Sequence, residues 1–272
     1  MKTFKHTVVY LILLLGALVM VFPFFWMLVS SLKTAAEVNT TPPTFWPQNL
    51  MFENYSYAFE KAPFLLYFKN SVLVTISCVA LTVFTTILAA FAFSRLKFPG
   101  RDLLFSLLLA MMMIPFEILI ITNYTTVVKM GLIDTLVALI IPFTSSIFYT
   151  YILRNFFLSI PDSLYYSARV DGANNWRYLW RIMVPIAKPA LVTIALLNAI
   201  ASWNSFLWTM IATNSTAVRT LPFGLYAFMS SSGIRYERLM AAATIVVVPM
   251  ILLFVLFRKN IVSGVSRGGL KG

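Results

Sequence analysis

Asn198, Ser202, Ser205 and Thr209 stand at i, i+4, i+7 and i+11 of an otherwise apolar stretch, so on one helix they form a narrow polar stripe. An amide and three hydroxyls in that register can hydrogen-bond a sugar, with Trp203 offering an aromatic face for stacking. Small polar groups of this kind also act as glue between membrane helices. Trp203 and Asn204 fall off the stripe. Glu117, just past Pro115, is the one acid inside an apolar run, and Tyr124 follows seven residues later on the same helical face. Its two readings are a bond to a neighbouring helix or to backbone freed by Pro115, and a substrate or gating role. Covalent chemistry has little to work with. The sole histidine, His6, lies at the N-terminal edge, the sole cysteine, Cys78, lies within an apolar run, and no carboxylates pair in a cleft-like context. No glycine stands five residues before a Gly-Lys-Ser/Thr, and the run Gly264–Gly272 has the wrong spacing, so a phosphate-binding P-loop is absent. The expectation is no catalysis by this chain alone, with no cofactor or metal of its own.

The elements that carry these residues are dictated by composition. The chain of 272 residues is 60% hydrophobic and only 11% charged, against roughly 25% charged in an ordinary soluble domain. Its mean hydropathy is +0.85. No soluble fold of this length has interior enough for so many apolar side chains, so lipid must solvate many of them. A net charge of +12 could signal nucleic acid, but no dense basic patch with stacking aromatics accompanies it. Six runs are long enough to span a bilayer, near Val8–Leu32, Phe68–Ser94, Leu103–Val128, Thr135–Phe157, Pro189–Ala212 and Leu239–Phe257. Backbone in lipid must satisfy itself, which makes these runs helices. Pro23, Pro115, Pro142 and Pro249 each fall inside a run and should kink it or mark a packing site. With the N-terminus in the cytoplasm, 14 of the 21 Lys and Arg lie on that side against 7 on the other. Both termini and the segment between Pro161 and Pro189 are then cytoplasmic. The loop from Lys33 to Tyr67, rich in proline and aromatics, is external and should lie on the membrane surface or against a partner.

The cytoplasmic segment is a polar island. Pro161 and Asp162 make a helix start, and Asp171-Gly172 ends the helix, since Gly172 is free to adopt φ > 0. A second helix should place Trp176, Leu179, Trp180 and Met183 on one apolar face, with Arg177 and Arg181 on another. Such a helix could lie on anionic lipid.

Ser167-Ala168-x-x-Asp171-Gly172-Ala173, followed by Ile182-x-x-Pro185 and Pro189, resembles the EAA motif of binding-protein-dependent ABC importer permeases, in the form found in MalG-type sugar permeases. The resemblance covers most of the chain. It includes Phe22-Pro23-Phe24, Trp26-Met27, Ser31-Leu32-Lys33, Asn54-Tyr55, Asn70-Ser71, Ala92-Phe93-Ser94-Arg95, Met113-Ile114-Pro115, Trp203-Asn204 and the tail Arg267–Gly272. It implies an all-α type I permease: one transmembrane domain over 1–272, with an external loop at 33–67, a cytoplasmic coupling loop at 158–188 and a cytoplasmic tail at 258–272. It further implies a coupling helix near Leu164–Val170 seated on a cytoplasmic ATPase through Leu164, Tyr165, Tyr166, Ser167, Ala168, Asp171, Gly172 and Ala173. The family usually has Glu where this chain has Tyr166, so an ion pair there would become a hydrogen bond or a stack. The implied partners are a second permease, two ATPase subunits that bind ATP and Mg, and an extracellular or periplasmic solute-binding protein, all at a bacterial plasma membrane. The tail, by the same resemblance, reaches the ATPase dimer interface. The implied solute is an oligosaccharide or related sugar, with glycerol phosphate or a polyol as the alternative.

Two other classes remain, a stand-alone secondary transporter coupled through Glu117 and a membrane anchor that transports nothing. Uptake assays separate them. An ABC permease loses uptake in Gly172→Pro, a proton-coupled carrier loses it in Glu117→Gln, and an anchor tolerates Asn198→Leu with Ser202→Leu.

Overall fold

Three of the long apolar runs become unbroken helices here, two of them with a proline inside, and the others become bent pairs. The computed structural model describes residues 2–229 and 234–268, with side chains over 6–229 and 234–256. In chain order the helices are α1 (Lys2–Ser31), α2 (Ala35–Val38), α3 (Glu53–Lys61), α4 (Phe64–Arg95), α5 (Arg101–Met111), α6 (Phe116–Lys129) and α7 (Leu136–Ile140). They continue as α8 (Ile147–Leu158), α9 (Asp162–Val170), α10 (Asn175–Tyr178), α11 (Val184–Ile186), α12 (Lys188–Trp203), α13 (Leu207–Ala212) and α14 (Tyr236–Gly268). Ile141–Phe143 and Leu221–Phe228 are 3-10 helical, and a π-helical stretch at Leu179–Met183 joins α10 to α11. Among the described residues there is no strand.

Three helices are long and apolar enough to cross a membrane unbroken: His6–Ser31, Phe64–Arg95 and Tyr236–Leu256. Three bent pairs bring the number to six if each counts as one span. Arg101–Met111 meets Phe116–Lys129 at 99°, with Pro115 as the residue before α6. Leu136–Phe143 meets Ile147–Leu158 at 46°, around Pro142. Pro23 and Pro249, by contrast, sit inside continuous helices. The third pair, Asn175–Ile186 with Lys188–Trp203 at 78°, corrects the expected span Pro189–Ala212. That helix stops at Trp203, where Asn204 caps it and Ser205 N–H turns back onto Ser202 O at 3.2 Å. Asn and Ser compete for backbone hydrogen bonds, so a helix breaks more cheaply there than in its aliphatic part.

The chain divides into two compact units, each described by itself: Met1–Leu65 with Phe223–Leu252, and Leu66–Pro222 with Leu253–Gly272. In the first, the loop over 33–67 folds back on the end of α1. Asn54 Nδ2 donates to Ser31 O and Lys33 O at 2.9 and 3.0 Å, and Met51 N–H donates to Leu32 O at 2.9 Å. These bonds satisfy carbonyls that the last turn of a helix leaves without partners. Lys33 is buried, its ammonium 4.5 Å from the Trp26 ring and bonded to Thr44 O. Glu37 closes a capping box with Thr34 and also accepts from Gln48 N–H at 2.6 Å. Phe45 and Trp46 pack edge-on against Trp26 and Phe25.

The second unit has two buried clusters. Ile87, Ala90 and Phe91 of α4 pack with Leu153 and Phe157 of α8, Ala168 of α9, and Tyr178, Leu179 and Met183. Val74 and Cys78 of α4 pack with Val127, Ala138, Leu139 and Trp208. The Pro142 break leaves carbonyls without helical donors, and α4 supplies hydroxyls instead. Thr82 Oγ1 donates to Phe143 O at 2.6 Å and Thr85 Oγ1 to Thr144 O at 2.7 Å.

Gly224 lies in the first unit, where a Cβ would sit 2.5 Å from Cε1 of the buried Phe64. Gly224→Ala should therefore overpack the site and cost about 1–3 kcal/mol, read as a lower melting temperature of the solubilised protein; an unchanged melt would show that Phe64 can move aside.

Candidate functional site

The polar island folds as two helices with a chemically specified turn. Gly172 adopts φ +75°, Gly172 N–H donates to Arg169 O at 3.1 Å, and Ala173 N–H donates to Ala168 O at 2.9 Å. This pair of bonds is a Schellman stop, which needs a left-handed residue at the position Gly172 occupies. Asn174 then starts the next helix, its Oδ1 accepting from Arg177 N–H at 2.8 Å. Helix α9 spans Asp162–Val170, between the Pro161-Asp162 start and the Asp171-Gly172 stop read from the sequence. Ala168 and Ala173 are buried, and Tyr165 is half-buried against Tyr178, its hydroxyl 3.1 Å from Asn175 Oδ1. Leu164, Tyr166 and Val170 face outward, 41%, 61% and 88% exposed. Ser167, Asp171 and Gly172 are exposed beside them.

One expectation for this segment needs correction. Leu179 and Met183 are buried as expected and Trp180 is half-buried, but Trp176 is 59% exposed and Tyr178 is buried in its place. The π-helical stretch at Leu179–Met183 changes the turn angle, so the face no longer follows a 3.6-residue period.

The polar stripe converges even though its helix is broken. Asn198, Ser202, Ser205 and Thr209 line a cavity of about 110 Å³ together with Val74, Leu139, Phe143, Ala201 and Thr220. Thr209 Oγ1 is 3.1 Å from Thr220 Oγ1 and also donates to Ser205 O at 2.9 Å. Asn198 is buried and its Oδ1 accepts no hydrogen bond. A buried acceptor left open at a polar cavity is a place for a water or a ligand hydroxyl. Trp203 is not at this cavity; it is buried and packs edge-on against Phe68 at 5.8 Å. Asn204 is exposed at the end of α12. Glu117 and Tyr124 are exposed on α6 and do not line the cavity either. The bend at Pro115 turns α6 away from the direction that a straight third span would have taken.

Several residues that organise the site have no helical periodicity to reveal them. Asn70 Nδ2 donates to Ala217 O and Arg219 O at 2.8 and 3.0 Å, and Ser71 Oγ accepts from Leu221 N–H at 2.7 Å. Asp134, at φ 61°, accepts from Asn214 and Ser215 N–H at 2.8 and 2.9 Å. Together they pin the loop that follows α13. The signal was available only as residue type: Asp tolerates the left-handed region and captures backbone amides well.

The described residues thus combine three to six apolar spans, a cavity at helix breaks and an exposed, sharply ended loop helix. Residues 82–267 match the family of binding-protein-dependent transport system inner membrane components, and the chain belongs to that family. It is 32% identical to the arabinooligosaccharides transport system permease protein AraQ of Halalkalibacterium halodurans, over 94% of this chain and 93% of that protein. It is 34% identical to the sulfoquinovosyl glycerol transport system permease protein SmoH of Agrobacterium fabrum, over 92% of this chain and 89% of that one. A bacterial ABC transporter that imports the acidic polysaccharide alginate contains a chain of the same fold, with TM-score 0.81 at 23% identity over 95% of this chain and 96% of that chain.

The amides of Ser215 and Asn214 hold the Asp134 carboxyl below its usual 3.8. A carboxylate with a lowered folded pKa stabilises above its unfolded value and loses that contribution as pH falls through the folded one. Hydrogen exchange, corrected for intrinsic rates, should show Asn214 and Ser215 amides protected at neutral pH and released only as pH falls below the ordinary carboxyl value of 3.8. Asp134→Ala should release them at every pH.

Proposed function

We propose that this chain is one of two permease subunits of an ATP-driven importer for an oligosaccharide or related sugar. The observation that carries the reading is α9: a helix anchored by Ala168 and Ala173, stopped by Gly172, and presenting Leu164, Tyr166 and Val170 outward. A helix held this firmly gains nothing from exposing a valine at 88% unless a partner covers it. The partner is a cytoplasmic ATPase subunit, one of two, which binds ATP and Mg. Closure of the ATPase pair pushes α9 and moves the permease between inward- and outward-facing states. Both termini and α9 then lie in the cytoplasm and residues 33–67 outside, with a solute-binding protein delivering the sugar to a path shared with a second permease. Tyr166 meets the ATPase through its ring or hydroxyl, since it offers no carboxylate. Residues 258–272 lie on the same side; the contact suggested for the tail falls partly on residues 269–272, outside the described residues.

The sugar class rests on the relatives, named for arabinooligosaccharides, sulfoquinovosyl glycerol and, in Streptomyces coelicolor, diacetylchitobiose. Asn198, Ser202, Ser205 and Thr209 supply hydroxyl-matched donors and acceptors on the path. Glu117 lies away from them, which disfavours a carrier that couples solute to protons through that residue.

Purification of the tagged chain from its native membranes tests this directly. An ATPase and a second permease should co-purify, and both should be lost in Gly172→Pro, because proline cannot reach φ +75°. Recovery of the chain alone, transporting in vesicles without ATP, would overturn the reading.

A further inference from the structure

Arg95 is the last residue of α4, and its side chain is 6% exposed. Its Nη2 donates to Phe157 O at 2.7 Å and to Ile160 O at 2.6 Å, carbonyls at and just past the end of α8. Its Nη1 pairs with the carboxylate of Asp162, the first residue of α9. Arg154 of α8 reaches the opposite way. Its Nε donates to Phe93 O at 3.0 Å, in the last turn of α4, while Nη2 lies 3.4 Å from Asp102 Oδ1. The Arg154 guanidinium also stacks 4.2 Å from the Phe105 ring. Each helix therefore gives an arginine to the other's C-terminal carbonyls, which carry partial negative charge; Phe157 O also accepts from Ile160 N–H at 3.2 Å. A planar guanidinium serves several such acceptors in fixed directions; an ammonium cannot.

We infer that Arg95 is a positioning residue that passes displacement of α9 to α4, and through α4 to the cavity wall. This rests on the importer reading above. Besides the apolar packing of Ala168 with α4 and α8, two further routes lead from α9 toward the cavity, one along the chain after α9 and one through Arg95. The covalent one runs through a π-helical stretch and then a 78° bend before α12, so it would absorb motion. The other runs through Arg95 into α4, one unbroken helix from Phe64 to Arg95. Val74 of that helix lines the cavity, roughly 30 Å from Arg95 at the rise of an α-helix. Thr82 and Thr85 of the same helix hold the Phe143 and Thr144 carbonyls, and Phe143 is also a cavity residue. The unbroken helix is the stiff connection. The pair with Asp162 adds little by itself, because that carboxylate is 72% exposed; the buried bonds to Phe157 O on α8 and to Ile160 O, two residues ahead of α9, form the grip, so motion of α9 reaches Arg95 through this short connection.

The test uses the complete importer reconstituted in vesicles, with uptake and ATP hydrolysis measured per assembled complex. Arg95→Ala should assemble and hydrolyse ATP within about twofold of the parent while uptake falls about tenfold or more, so that more ATP is consumed per solute; Arg95→Lys should restore part of the loss. Asp162→Asn should give a smaller change than Arg95→Ala. If uptake and hydrolysis fall in proportion, or neither falls, Arg95 transmits nothing and the inference is overturned. Should Arg95→Ala fail to assemble, the same ratio is read in Arg154→Lys, which loosens the clasp from the α8 side, with the same two outcomes. A parent complex without ATP-dependent uptake would remove the importer reading itself, whereas an unchanged ratio in an active importer removes only the role of Arg95.

Discussion

Backbone carbonyls without helical donors are what this structure is organised around. In hydrocarbon no water can satisfy them, so a break within a span must bring its own partner, and a buried helix end gains from one as well. Thr82 and Thr85 supply the partners at the Pro142 break, Asn54 at the end of α1, Asn70 at the loop after α13, and Arg95 with Arg154 at the ends of α4 and α8. Most of these bonds join segments far apart in the chain. A requirement of the local backbone thus becomes the tertiary architecture of each unit, with apolar packing filling the space between.

The same breaks make room for polar chemistry. A continuous helix in lipid exposes only side chains, but a stop such as the one at Asn204 brings hydroxyls and backbone together where the helix would have run on. The cavity around Asn198 has walls from two such interruptions, Phe143 beside Pro142 and Ser205 beside Asn204. Its open acceptor, Asn198 Oδ1, is tolerable only because the site is polar and roomy enough for a hydroxyl or a water. The island between Pro161 and Pro189 obeys a different economy. There the turn at Gly172 and the cap at Asn174 fix a helix that exposes Leu164, Tyr166 and Val170.

Sequence legibility follows the same division. The apolar runs could be read because hydropathy over about 20 residues is a strong, local signal. The turn at Asp171-Gly172 could be read because a left-handed stop narrows the choice of residue. The membership of a permease family was legible in Ser167-Ala168 and Asp171-Gly172-Ala173. The break after Trp203, the π-helical stretch at Leu179–Met183 and the outward turn of Glu117 and Tyr124 could not be read, since each depends on what packs alongside. Arg95 and Arg154 counted in the sequence only as two positive charges at span ends; their exchange of carbonyls is a tertiary fact.

The central claim is that the outward face of α9 belongs to a nucleotide-hydrolysing partner and not to lipid. A photo-reactive amino acid in place of Val170, activated in native membranes, asks this of the most exposed large apolar residue on that helix. The account predicts a covalent adduct with an ATPase subunit, weakened or strengthened when nucleotide is added. An adduct with lipid alone, unchanged by nucleotide, would contradict it and make α9 an interfacial helix.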